Sequence, residues 1–503
     1  MSNQILQDTL NTTDIFLDTA FEIPLEQEIL LADYDLPVFK IIHTAVQHTV
    51  TRKYINGSRL IIEGFFRTEI YYQSPSPARI TSVSKKIPFQ KRFELPHAVQ
   101  QPYYINTDGS LQYVNTRAVN SSRIESRGIY RIAVKGYSSA EAMVSTAIDS
   151  TSVCTENTRL DYFALAARAA RQFSVEEELS FERQPGRILH IRAFPGSMTT
   201  QLHQDKINVR GDIVAQIIYT DDDGVNMYRI NKPFRYNQMI DMPGVDEGCT
   251  ACADISVMAV TVAHNSRTDN INCHITCRRD AKAFRKQSVM AVTDAFSKKW
   301  GYTTESSSIV YDSDIIPVTK NMSVSAEDTI DRGYEIIHCT AQSTSPAISE
   351  EDGIPVLKSQ LTFVVIAKNA QGEYECFTKT ESFILNISQA VSADNEYILA
   401  VNVSGCTPQL SGNLLKVKAD ITISGYIICH SSINTLTVFE EDEGKPIKIR
   451  KGFLVLYYGS KGEKIFDIAK RYKTDIQRII AENAVENSVL TEDRVLFIPS
   501  FRQ

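Results

Sequence analysis

Two pairs of cysteines are the residues whose types and spacing are best suited to chemistry. Cys249-Thr-Ala-Cys252 and Cys273-His274-Ile-Thr-Cys277 lie close together in the chain, and four thiolates so arranged are the donor set of a structural zinc site. The same residues also read as strand. Cys273, Ile275 and Cys277 alternate onto one face, Cys249 follows the turn residues Met242-Pro243-Gly244, and C-x3-C is wider than a tight knuckle. Zinc is therefore left open, and no metal or other cofactor is assigned. Elsewhere the chain has no Gly-x4-Gly-Lys-Ser/Thr phosphate loop, Gly-x-Ser-x-Gly elbow, His-Glu-x-x-His or Gly-x-Gly-x-x-Gly. Its 9 histidines are scattered, with none beside a cysteine in a recognisable nucleophile signature. The expectation is a protein without catalysis.

The elements that position these residues repeat. Leu60-Ile-Ile-Glu-Gly64-Phe-Phe-Arg-Thr-Glu-Ile-Tyr71-Tyr72 and Ile207-Asn-Val-Arg-Gly211-Asp-Ile-Val-Ala-Gln-Ile-Ile-Tyr219 both place Tyr eight residues after Gly. Each leads to Pro-Phe (Pro88-Phe89, Pro233-Phe234) and then an apolar-Pro step (Leu95-Pro96, Met242-Pro243). A weaker third copy runs from Leu361 through Gly372 to Ser382-Phe383. Ile132-Ala-Val134-Lys-Gly136-Tyr137 recurs as Ile421-Thr-Ile423-Ser-Gly425-Tyr426, with Ile255-Ser-Val257-Met-Ala259 as its middle copy. A period of about 145 residues means duplicated domains, not solenoid units.

Alternation such as Leu415, Val417, Ala419, Ile421 and Ile423 against Lys416, Lys418 and Asp420 predicts half-buried strands. Asp221-Asp-Asp-Gly224 and Asn369-Ala-Gln-Gly372 read as hairpin turns. Each repeat is thus expected to be an antiparallel, sandwich-like β domain. Short helices are expected at 157–173, where Leu160, Phe163, Ala166 and Ala167 fall at helical spacing, and at 280–300. Trp300 would anchor the end of the latter. Tyr71-Tyr72 and Tyr103-Tyr104 suit either a sheet face or a carbohydrate platform, the former being the commoner use.

The chain has 503 residues, 43% of them hydrophobic and 22% charged, enough for about three domains and a small remainder. No apolar run is long enough to span a membrane. The N-terminus lacks the basic and apolar regions of a secretion signal, so a cytosolic location is expected, with the nine cysteines packed as reduced thiols. The net charge of −7 is uneven: residues 445–503 hold 12 Lys/Arg against 7 Asp/Glu, leaving 41 against 53 in the remainder. A basic tail on an acidic body points to an anionic or acidic partner; nucleic acid is not expected.

That tail reads strand, helix, helix, strand. Ser460-Lys-Gly-Glu463 and Thr474-Asp-Ile-Gln477 fit capping boxes. Ile465, Ile468, Ala469 and Tyr472 would form one helix face, and Ile476, Ile479 and Ile480 the other. Phe453–Tyr458 and Arg494–Pro499 flank them. Gly462-Glu-Lys-Ile465-Phe466-Asp-Ile468-Ala469-Lys-Arg-Tyr472, Ile479-Ile480-Ala-Glu-Asn483 and Val495-Leu-Phe-Ile498-Pro499 make the tail resemble a LysM domain. The resemblance implies a small βααβ fold and a recognition groove between loops 460–466 and 487–494, usually for N-acetylglucosamine glycans. The family's usual Gly-Asp-Thr is Gly462-Glu463-Lys464 here, which removes a groove-forming feature and makes protein binding at the same surface competitive.

Glu28-Ile-Leu-Leu-Ala-Asp33-Tyr-Asp-Leu-Pro37-Val-Phe-Lys-Ile41-Ile42, Asp205-Lys206-Ile207-Asn-Val209-Arg-Gly211 and Pro233-Phe234 through Met242-Pro243-Gly244 make the repeats resemble the SPOCS domain of clostridial sporulation proteins. Three such copies ending in LysM are similar to the SipL-like spore-coat morphogenetic family. The expected fold class is mainly β and multi-domain. It comprises an N-terminal segment (1–36), three tandem antiparallel β domains (37–173, 174–310 and a degenerate 311–444) with short interspersed helices, and a LysM domain (447–503). The resemblance implies a non-enzymatic coat-assembly adaptor in the mother-cell cytosol at the forespore surface, whose LysM domain binds the coat's basement-layer morphogenetic ATPase. The alternative is a peptidoglycan-binding cell-wall protein. Candidate binding residues are Lys461, Gly462, Glu463, Lys464, Ile465, Phe466, Asn487, Leu490 and Arg494, with Ile465 and Phe466 as apolar anchors and Lys461 and Lys464 for electrostatic steering.

Overall fold

Alternating side chains dominate the chain, and nearly all of it before residue 447 is extended. The computed structural model describes residues 4–75, 79–99, 101–181, 183–265, 270–387, 391–392, 394–447 and 455–499. The first unit contains β1 (Gln4–Pro24), β2 (Gln27–Leu30), β3 (Lys40–Asn56), β4 (Arg59–Gln73), β5 (Ile80–Glu94), β6 (Tyr103–Asn120) and β7 (Arg123–Asp149). The second contains β8 (Val153–Leu179), β9 (Arg187–His203), β10 (Lys206–Thr220), β11 (Met227–Asp241), β12 (Cys249–Asn265) and β13 (Asn270–Ser297). The third contains β14 (Trp300–Thr329), β15 (Glu335–Ser343), β16 (Ala347–Glu351), β17 (Ile354–Lys368), β18 (Tyr374–Asn386), β19 (Glu396–Ser411) and β20 (Leu414–Pro446). A smaller unit follows, with β21 (Val455–Gly459), α1 (Ile465–Tyr472), α2 (Ile476–Asn483) and β22 (Arg494–Ile498).

Each large unit repeats one plan. A long entry strand is followed by an antiparallel meander (β3-β4-β5, β9-β10-β11, or β15 and β16 beside β17-β18) and then a hairpin. The last strand of the hairpin returns to pair with the entry strand, as β1–β7, β8–β13 and β14–β20. Meander and long sheet face each other across one apolar core per unit, since their inward residues share a cluster: Phe66 with Ile132, Ile213 with Ile275, Phe363 with Ile421. This is sheet-on-sheet packing of alternating faces. The expected hairpin turns are present, with Gly224 at φ +70° and Gly372 at φ +83°, each closing a bond to the turn's first carbonyl (Gly224 N to Asp221 O and Gly372 N to Asn369 O, both 3.0 Å).

Strand pairing draws boundaries where the repeat period did not. The segment 1–36 carries β1, paired along its length with β7. The divisions at 173/174 and 310/311 fall inside β8 and β14. No helix occupies 157–173 or 280–300. Leu160, Tyr162 and Ala164 are buried at a spacing of two, and the Ala-rich run pairs with β13 instead. Helix propensity among alanines is a weak preference that a paired partner strand overrides. Trp300 accordingly opens β14. The middle copy of the Ile132–Tyr137 element is Arg279–Phe284 on β13, since β13 pairs with its entry strand as β7 does. The 255–259 match lies on the neighbouring β12. Tyr71, Tyr72 and Tyr104 are buried in packing, so no aromatic carbohydrate platform forms there.

The cysteine pairs separate. Cys252 sits opposite Lys282, whereas Cys277 sits opposite Val257. Five residues of strand put them about 16 Å apart along the ladder. Cys249, opposite Arg285, joins the core of the second unit with Cys273 and Cys277, while Cys252 packs with Phe284 and Tyr426. Among the described residues no His, Cys, Asp or Glu group is arranged to hold a metal ion. Burial pushes the Cys252 and Cys277 thiols up to about 12 and Cys273 to about 11, so they serve as packed apolar groups.

The three meanders meet through equivalent residues. Ile42, Tyr71 and Ile80 of the first unit, Leu189, Ile218 and Met227 of the second, and Ile337, Ile366 and Tyr374 of the third form one cluster. In β3, β9 and β15 the ladder slips by one residue at Ile42, Leu189 and Ile337, a bulge that re-aims the following side chain. That next residue is histidine each time: His43, His190 and His338.

Candidate partner-binding site

The C-terminal unit forms because two short amphipathic helices cover one face of a two-stranded sheet. Ile465, Ile468, Ala469 and Ile479 are buried with Leu496 and Ile498, and β21 pairs antiparallel with β22. Asp475 caps α2, its carboxylate accepting from Gln477 N at 2.9 Å. Helix α1 starts later than the capping-box pattern suggested. Its N-cap is Lys464, with no side-chain cap, and the Glu463 carboxylate instead accepts from Ser460 N (3.3 Å) and the Tyr457 hydroxyl (2.5 Å).

The two loops singled out from the sequence do come together. Gly462 N donates to Leu490 O (2.8 Å), Leu490 N to Glu463 O (2.9 Å) and Ile465 N to Ser488 O (2.9 Å), while Lys464 bridges to Val489. Gly462 stands at φ +88°, a left-handed position that glycine occupies without strain. Lys461 N donates to the Asp493 carboxylate at 2.6 Å. The Arg494 guanidinium is tied to Asn483 O at 2.8 Å.

Their side chains divide sharply in accessibility. Lys461, Gly462 and Asn487 are exposed, and Glu463 and Arg494 are half-buried. Leu490, Ile465 and Phe466 are buried. Phe466 meets Phe296 of β13 edge-on, with ring centroids 5.5 Å apart. Ile465 and Phe466 therefore hold this unit together and against the second β unit, and do not present a free apolar anchor. Lys464 turns the same way, its ammonium 2.7 Å from the Glu156 carboxylate, which holds its pKa above the usual lysine value. Lys470 pairs with Asp294 at 2.5 Å, and Lys298 with Asp475 at 3.0 Å. Burial raises the Asp475 pKa, but the Lys298 hydrogen bond and charge outweigh it and leave it below the usual carboxylate value. Part of the tail's basic charge is thus spent within the chain.

What the tail shows to solvent is the outer face of its sheet. Leu456, Tyr458 and Val495 are 54%, 78% and 47% exposed, with Tyr458 directly opposite Val495 and Leu456 opposite Phe497. These residues were missed because the run 453–458 is apolar on both faces, so alternation cannot say which face lacks a cover. Tyr458 lies beside the loop that carries Lys461 and Gly462. The histidines at the junction were missed too, although Ile41-Ile42-His43, Ile188-Leu189-His190 and Ile336-Ile337-His338 recur at intervals of 147 and 148 residues.

Among the described residues no helix is long and apolar enough to cross a membrane. No curated protein and no solved structure matches the chain. Residues 37–119 and 184–264 match the family model described as SipL, SPOCS domain, covering β3–β6 and β9–β12, the same elements of the first and second units. Two of the three large units are thus similar to the SPOCS domain, and the similarity supports a relationship to the SipL-like family.

Proposed function

We propose that the chain is a non-enzymatic adaptor of spore-coat assembly. Three SPOCS-type β units form its body. Its C-terminal βααβ unit, read as a LysM domain, binds a protein partner, the coat's basement-layer morphogenetic ATPase, in the mother-cell cytosol at the forespore surface. The observation that carries this reading is the SPOCS match repeated at equivalent elements of two units. The exposed apolar strip Leu456, Tyr458 and Val495, bordered by Lys461, supports a protein partner over a glycan. An apolar centre with a charged rim is the anatomy of a protein interface. Ile465 packs with Leu496 and Ile498 of the sheet, Lys461 and Gly462 lie in the loop that follows Tyr458, and Asn487 in the loop hydrogen-bonded to it.

The test is capture of the ATPase by the full chain, by a chain lacking 447–503, and by Tyr458→Asp. Loss of capture in both altered chains is the expected result; capture unchanged in the truncated chain removes the reading. Sedimentation with purified peptidoglycan is the parallel arm. Saturable co-sedimentation together with failure to capture the ATPase would favour the cell-wall alternative.

A further inference from the structure

A cavity of about 300 Å³ lies where the three large units converge, lined by all of them. His48 and Arg67 come from the first unit, Arg192 from the second, and Gln342 and Asn402 from the third. Arg192 is half-buried, and desolvation lowers its pKa. Its guanidinium sits over the Phe194 ring at 5.8 Å and makes a long hydrogen bond of 3.4 Å to the Thr340 hydroxyl. Among the described residues, the groups that favour its charge electrostatically are Tyr130 and Tyr71, both neutral phenols at neutral pH. Arg67 is half-buried and makes no ion pair or hydrogen bond among the described residues. Two carboxylates stand nearby, outside the cavity lining. Glu69 is bound to His190, and exposed Asp108 lies beside His48 at the rim.

We propose that this cavity binds a small oxyanion with phosphate-like chemistry, held by Arg67 and Arg192. Removing a guanidinium from water without a counter-charge is costly. Two of them turned into one polar cavity with no carboxylate in its lining leave that cost to be offset by an anion. Guanidinium forks pair bidentately with phosphate and carboxylate oxygens. Amides at Gln342 and Asn402 add neutral donors from the third unit. Because each unit contributes, the anion would bridge all three, and its binding would couple to their association. The inference is independent of the adaptor reading.

The full chain is dialysed free of phosphate and sulfate and titrated with inorganic phosphate at constant ionic strength maintained with chloride. Calorimetry and the thermal unfolding midpoint are followed. Saturable binding with a rise in Tm is expected. It should weaken at least tenfold in Arg192→Met and measurably in Arg67→Gln, while Lys445→Ala, exposed and outside the lining, binds as the parent does. Arg67→Gln keeps the test decisive if Arg192→Met does not fold, because Arg67 makes no hydrogen bond or ion pair among the described residues that its loss would break. No saturable binding, an equal Tm rise with chloride alone, or unchanged affinity in Arg67→Gln would overturn the proposal.

Discussion

Acidification from pH 7 to pH 5 should loosen the junction of the three large units, because neutral histidines are built into it. The His43 ring lies 6.3 Å from the Tyr71 ring and 3.7 Å, through Nδ1, from the Cys376 thiol. Burial lowers its pKa from 6.5 to about 4. His338 is 6% exposed, and its Nδ1 has no hydrogen-bond partner among the described residues. Burial first, then the charges of Arg229, His43 and Arg192, lower its pKa to about 3. His190 is lowered as well, chiefly by burial, but it touches Glu69 and is left out of the arithmetic. With folded pKa values below the unfolded 6.5, the unfolded chain takes up protons first. Stability is therefore complete above about pH 6.5 and falls as pH drops below it. At pH 5 the unfolded rings are almost fully protonated and the folded ones almost not, so each histidine costs about 2 kcal/mol, His43 somewhat less because part of its surface stays accessible. Together they lower unfolding stability by about 4 kcal/mol, close to 1.4 kcal/mol per pH unit for each ring. The assay is urea denaturation of the full chain at several pH values between 7 and 5, compared with His43→Gln/His338→Gln. The substitutions shift stability at every pH, but only loss of the buried bases changes the slope. Equal pH slopes in the two proteins would refute the reasoning.

Other outcomes follow from individual contacts. A Cβ at Gly64 would meet Thr49 O at 2.3 Å and the Phe89 ring at 2.7 Å, and one at Gly211 would meet Ser197 O at 2.2 Å and the Tyr236 hydroxyl at 2.6 Å. Gly64→Ala and Gly211→Ala should each cost about 1–3 kcal/mol of unfolding stability through overpacking; urea midpoints equal to the parent's would contradict the packing. Phe296 is fully buried under the C-terminal unit, so Phe296→Ala should cost about 3–5 kcal/mol locally and speed amide exchange in α1, and unchanged exchange there would mean the tail is held by something else. The Cys339 and Cys406 sulfurs lie 2.6 Å apart as free thiols. An azodicarboxamide oxidant should take two electrons and two protons from them, join β15 to β19, and itself be reduced to the hydrazide; peptide mapping that finds both thiols free after treatment rules the link out.

The mainly β architecture was legible in the sequence because it rests on a local signal. Residues such as Leu415 through Ile423 alternate every second position, and glycines at 224 and 372 mark turns whatever lies beyond them. The βααβ order of the tail was legible for the same reason, since its apolar stripes fall within eight-residue helices. The Ala-rich stretch 157–173 was not. Its composition suits a helix, and only the β13 partner, more than 100 residues away in the chain, makes it a strand. For the candidate site, the meeting of loops 460–466 and 487–494 followed from the family pattern, but the fate of its side chains did not. Whether Phe466 faces solvent depends on Phe296, and whether Lys464 is free depends on Glu156.

By itself, then, the sequence determined which stretches are extended, where they turn, and that they come in repeats of about 145 residues, because backbone preference and alternation act between neighbours. Tertiary structure alone decided that the entry strand of each repeat closes onto its last, that four cysteines spaced like metal ligands end far apart along one ladder, and that three histidines and two arginines from separate repeats share one junction. Those outcomes depend on surfaces brought together across the whole chain. A register slip of one residue, as at Ile42, Leu189 and Ile337, is enough to turn a side chain from one surface to the other.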